Sequence, residues 1–121
     1  MSVSLIYEGG IQAAAPVRLT TTSATDIVTA PTADNTIIIS SFSLANETGS
    51  AVQMSVHYYD GTTDFLWFAR SVPANDTIIV CEIPMRLRGG QKMKATAATG
   101  NAITVTPIVT RLHKNVAVRP I

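Results

Sequence analysis

Cysteine and tryptophan each occur once in this chain of 121 residues, and histidine twice. A lone Cys81 forbids an intrachain disulfide, and with two scattered histidines it cannot close a zinc shell. A nucleophile-base-acid triad would have to use His57 or His113, and no Gly-x-Ser-x-Gly elbow marks a nucleophile. The expectation is a chain that is not an enzyme and takes no cofactor and no metal. Charged residues are also sparse, at 14% with a net charge of +1, which argues against a nucleic-acid partner. No apolar run approaches the roughly 18 residues of a membrane helix, and the first residues lack the basic and apolar regions of a secretory signal. Neither a membrane partner nor secretion is expected. Within the apolar run 77–83, Cys81 is expected to be a small buried hydrophobe, in a protein made in a reducing cytoplasm.

What is present is strand pattern. Residues 36–70 read as three consecutive strands with turns at 46–49 and at Asp60-Gly61, a β-meander around which the rest is expected to organise. In the middle strand Val52, Met54, Val56 and Tyr58 fall on one face, and Gln53, Ser55, His57 and Tyr59 on the other. The first strand places Ile38, Ser40, Phe42 and Leu44 on one face and Ile37, Ile39, Ser41 and Ser43 on the other. The third sets Phe65, Trp67 and Ala69 against Leu66, Phe68 and Arg70, with large apolar groups pointing both ways. Thr-rich runs at 17–22 and 25–30 suit edge strands, and runs at 77–83, 85–88, 91–98 and 102–112 complete the set. Met93, Ala95 and Ala97, then Ile103, Val105 and Val109, are expected in the core. Gly89-Gly90 reads as a turn and Gly100-Asn101 as a hairpin. No helical run of useful length occurs. The fold class is therefore all-β, a single β-sandwich, jelly-roll-like or Ig-like, of about eight antiparallel strands. Residues 1–16 form an extended N-terminal arm and 17–121 the sandwich domain.

Charge is unevenly spread along the chain. The first 85 residues hold eight acids and two bases, and the last 36 hold seven bases and no acid. Interleaving strands mix such charges on the surface; the sharper alternative is a basic face that docks on an acidic neighbour. Arg86 with Arg88, and Lys92 with Lys94, share strand faces and are the candidates for it. The Asp60 to Asp64 loop offers two carboxylates but too few ligands for a calcium site, and is read as a hairpin turn. The sequences beginning at Asn46 and Asn75 match the N-glycosylation pattern but are read as turn residues.

Three segments carry a family likeness: Val72-Pro-Ala-Asn-Asp-Thr-Ile-Ile-Val80, Met85-Arg-Leu-Arg-Gly-Gly-Gln-Lys-Met-Lys-Ala95 and Ala98-Thr-Gly-Asn-Ala-Ile-Thr-Val105. This cadence of turns and strands resembles that of small virion proteins of tailed bacteriophages, and with the 37–59 hairpin it covers most of the chain after Pro16. The resemblance implies a structural virion protein made in the bacterial host cytoplasm. It would be a head decoration or cement protein, or a head-tail connector, neck or tail subunit. The implied partners are itself, as a homo-oligomer, and other virion proteins such as the major capsid protein. The residues expected at its interfaces, from their apolarity and position, are Ile6, Tyr7 and Ile11 in the arm, Phe65 and Trp67 in the meander, and Arg119 and Ile121 in the tail. The alternative of another class is a carbohydrate- or receptor-binding sandwich of a phage tail, in which Trp67, Tyr58 or Tyr59 stacks on a sugar ring.

Overall fold

Two long strands with strict apolar alternation form the spine of the molecule. In Ile103–His113 the residues Ile103, Val105, Pro107 and Val109 are buried, while Thr104, Thr106, Ile108 and Thr110 between them are half-buried. This strand pairs antiparallel along its whole length with Asn35–Asn46. The computed structural model describes residues 11–31, 35–81 and 84–113, which form ten strands. They are β1 (Ile11–Ala13), β2 (Val17–Arg18), β3 (Thr25–Thr29), β4 (Asn35–Asn46), β5 (Val52–Tyr59), β6 (Asp64–Val72), β7 (Thr77–Val80), β8 (Met85–Arg88), β9 (Lys92–Ala97) and β10 (Ile103–His113). No helix occurs among the described residues.

The strands make two antiparallel sheets. In the first, β10 and β4 lie at the centre, β1 and β2 flank β10, and β7 and β8 flank β4. The second has the order β3-β9-β5-β6. The chain stays within one sheet only at the β5–β6 hairpin and at the breaks that divide β1 from β2 and β7 from β8; every other connection crosses to the opposite sheet. That order is the jelly roll, so of the two sandwich types expected from sequence this one is realised. The core between the sheets contains Leu19, Ile37, Ile39, Leu44, Met54, Val56, Leu87, Met93, Ile103 and Val105, each at most 1% exposed. The expected core residues of β9 and β10 lie in it.

Three expectations need correction. The meander does not exist: β4 belongs to one sheet and β5 to the other, so the 46–49 turn is a corner between sheets. Its physical cause is Asn46, a buried side chain whose Nδ2 donates to the carbonyls of Ser50, Val72 and Pro73 at 2.9, 3.0 and 3.2 Å. Gly100-Asn101 likewise forms an arch from β9 to β10 across the sandwich, held to Leu19 by a bond from Asn101 N to its carbonyl at 2.8 Å. Cys81 is exposed. The strand stops at Val80, the last core-facing residue, and alternation turns the next side chain outward.

Two bulges change the facing of side chains. On β4 the register passes from Ser41 opposite Ile108 to Ile39 opposite Val109, which leaves Ser40 as an extra residue. Ile37 and Ile39 therefore face the same core as Phe42 and Leu44, rather than the opposite side. On β6, Phe68 pairs with Val56 and Leu66 with His57, and Trp67 is the extra residue. Phe68 turns inward and meets Phe42 edge-on at 5.7 Å, and Trp67 also packs on the core.

Candidate functional site

β6 is the outermost strand of its sheet, pairing with β5 on one side and with no strand on the other among the described residues. An unpaired edge offers a row of free N–H and C=O groups, and sheets normally protect it with short length, proline or charge. The other edge strands are shorter, five residues at most. β3 is short, bulged at Ile27 and carries Asp26; Pro16 follows β1; β8 is preceded by Pro84 and carries Arg86 and Arg88. β6 is also bulged, at Trp67, and carries Asp64 and Arg70, but it runs for nine residues, and its first half is Asp64-Phe-Leu-Trp-Phe. Phe65 is 50% exposed and Leu66 64% exposed, two of the three large exposed hydrophobics among the described residues. The third, Ile79 at 70%, lies on β7. Phe65 stacks on Tyr58 with ring centres 6.5 Å apart, and Tyr58 in turn lies 6.0 Å from Trp67. The three rings form one aromatic patch that runs from the core to the edge.

Trp67 is an anchor of this patch rather than its open surface. Its Nε1–H is buried and lacks a hydrogen-bond partner among the described residues. Such a donor costs about 1–3 kcal/mol unless another group reaches it. Of the other interface candidates, Ile11 lies in β1, paired with Thr110. Ile6, Tyr7, Arg119 and Ile121 lie outside the described residues.

The outer face of the second sheet is polar. Lys92 Nζ is 3.0 Å from Asp26, and Lys94 Nζ is 4.0 Å from Asp26 and 3.9 Å from Asp64. Lys94 also sits over the Tyr59 ring at 4.4 Å. Acids of the first 85 residues thus meet bases of the last 36 across strands. Arg86 and Arg88 are exposed on β8 of the other sheet, so the structure separates them from Lys92 and Lys94. Each pair shares a strand face, as alternation requires.

The remaining candidates for chemistry are accounted for by local bonds. Ser55 Oγ is 3.0 Å from His57 Nε2 and 2.6 Å from Thr96 Oγ1. No carboxylate bonds to His57 among the described residues, so the contact is a dyad without an orienting acid. His113 is the last strand residue, paired through its backbone with Asn35. Asp60 Oδ1 accepts bonds from Thr63 N at 2.8 Å and Thr62 N at 2.9 Å, which holds its carboxyl below the ordinary 3.8. Those bonds close the β5–β6 turn, where Gly61 has φ of 110°. No group of three or more His, Cys, Asp or Glu side chains could hold a metal among the described residues. What sequence reasoning missed was the exposure of Leu66 and Ile79, because the faces of a strand cannot be assigned past an unseen bulge or without its sheet partner.

A search against protein-family profiles finds no match, and a search of curated proteins finds none. Among solved structures the chain is similar to a protein described under "Bacillus endospore appendages form a novel family of disulfide-linked pili", with 14% identity and TM-score 0.52, covering 85% of this chain and 88% of that one. A pentameric capsid protein from metagenomic phage sequences has 16% identity and TM-score 0.40, with 93% and 77% covered. The CBM22-1-GH10 modules of a Clostridium thermocellum xylanase have 12% identity and TM-score 0.39, with 81% of this chain and 20% of that one covered. The first of these likenesses establishes a shared fold.

Proposed function

We propose that this chain is a structural subunit of a tailed-phage particle, a head decoration or cement protein, that stabilises the particle by packing its β6 edge against neighbouring virion subunits. The observation that carries the reading is the pair Phe65 and Leu66, consecutive exposed residues on the nine-residue edge strand of the second sheet. Covering each of these side chains contributes about 1–2 kcal/mol from apolar area alone, since only part of each remains to be buried. The free backbone of the same strand supplies hydrogen bonds along its length. A jelly roll suits this work, because it is rigid, needs no disulfide or metal, and presents two flat faces and two lateral edges to neighbours. The resemblance of the turn cadence to that of small phage virion proteins supports the same reading. In it the chain performs no reaction of its own.

The test is sedimentation. In lysates of a phage that encodes the chain, the protein is expected to travel with DNA-filled particles through a density gradient, and Leu66→Asp is expected to leave it at the top. Wild-type protein that stays at the top of the gradient would overturn the reading.

A further inference from the structure

The two outer faces of the sandwich differ in chemistry. That of the second sheet carries Asp26, Asp64, Lys92, Lys94 and His57, the ordinary composition of a solvated surface. The first sheet's outer face is almost without charge among the described residues. Cross-strand register sets Thr106 beside Ser43 and Ile79, Ile108 beside Ser41, and Thr110 beside Ile38. Among the described residues, charge returns at two corners. One has Arg18 paired with Glu47; the other has Arg86 opposite Ile38 and Arg88 opposite Thr36.

We infer that this face of the first sheet is an interface with a second copy of the same chain. Three observations lead to that occupant. Among the described residues the middle rows contain no charged side chain, Cys81 beside Ser41 contributing only a thiol, so nothing there must be desolvated as a charge. A neutral face can also be laid on its own copy without opposing like charges, whereas the second sheet's face would have to match its acids to bases. Lastly, four strand positions of about ten residues, at the usual rise and spacing, span about 640 Å². Standard pairs bury about 600–1,000 Å² on each partner, a range this face reaches. Ile38, Ile79 and Ile108 supply the apolar contacts, and the threonine and serine hydroxyls can bond across the seam or to trapped water. The inference rests on the reading of the chain as an assembly subunit but uses a surface other than the β6 edge.

Light scattering of the purified full chain, over a concentration series, tests it. The wild type is expected to be a dimer or a multiple of dimers. Ser43→Lys or Thr106→Lys should weaken the dimer at least tenfold, and Ile79→Ser, at an exposed position with little folding risk, should weaken it measurably. Gln53→Lys, on the outer face of the other sheet, should leave the mass unchanged. Circular dichroism confirms that each variant is folded. A monomeric wild type, or a dimer indifferent to all three substitutions, would overturn the inference. So would a loss of stability at unchanged mass, which would mean that the chain's own terminal segments cover the face. A monomer that still sediments with particles would sink only this inference, and a dimer that fails to sediment would sink only the proposed function.

Discussion

The side-chain amide of Asn46 donates to the backbone carbonyl of Val72 at 3.0 Å, joining the end of β4 in one sheet to the end of β6 in the other. Asn46 is the buried polar residue of the described core, at 3% exposure. Its Oδ1 also accepts from Thr48 N at 2.9 Å and Thr48 Oγ1 at 2.7 Å, so that one side chain satisfies both strand ends and the corner between them. Asn46→Ala would leave the Val72 carbonyl and the Thr48 N–H without these partners. Removing such a partner leaves a cost of about 1–3 kcal/mol, to be read as a lower urea midpoint. Asn46→Asp should cost at least as much, because it keeps the acceptor for Thr48 but turns an anion toward three carbonyls.

How much of the fold is legible in the sequence follows from what alternation can and cannot encode. Period two alone assigns Met93, Ala95 and Ala97, and Ile103, Val105 and Val109, to the core, and the structure buries all six. It fails wherever one extra residue enters, which is why it puts Ile37 and Ile39 on the wrong face beyond Ser40. Turn chemistry marks where a chain reverses, as at 46–49 and Gly100, but not whether the reversal stays in one sheet. That depends on partners far away in sequence: β4 finds β10, not β5. The exposed edge at Phe65 and Leu66 is half legible. Its aromatic density points to an interface, but its position at the outside of the sheet is set by strand order.

The Ser40 bulge can be tested directly. Ser40→Ala should change stability little, since its hydroxyl makes only a 3.5 Å contact with the Ile108 carbonyl. Deleting Ser40 should prevent cooperative folding, because β4 could then place either Ile37 and Ile39 or Phe42 and Leu44 in the core, but not both. Near-ultraviolet circular dichroism and a urea titration separate the two variants. A deletion variant that unfolds like the wild type would show that the bulge is dispensable.

Asp60 provides a pH dependence with a defined sign. Bonds from the Thr63 and Thr62 backbone hold its folded pKa below the ordinary 3.8, so its contribution is present above that value and lost as pH falls through the lowered one. The wild type should therefore be more stable than Asp60→Ala at neutral pH, with a constant gap down to about pH 5. The gap should close as acid titrates the carboxylate. Urea midpoints of the two proteins from pH 7 downward check this, and a gap independent of pH would assign the effect to the turn's shape instead.

Gly100 marks a close approach of two backbone segments. A Cβ placed there would lie 2.7 Å from the Thr20 carbonyl oxygen, well inside contact distance and against backbone that cannot rotate away. The arch from β9 to β10 is pressed at this point onto the segment after Leu19, and the bond from Asn101 N to the Leu19 carbonyl fixes the same spacing. Gly100→Ala must push the two segments apart and strain that bond, at a cost of about 1–3 kcal/mol by analogy with overpacked sites. Gly49, in the corner after Asn46, has no atom within 4 Å of the position a methyl group would take, so Gly49→Ala tests whether flexibility alone matters. The urea midpoint should fall for Gly100→Ala and hardly move for Gly49→Ala. Equal shifts in the two would mean that loss of glycine, rather than the contact with Thr20, sets the effect.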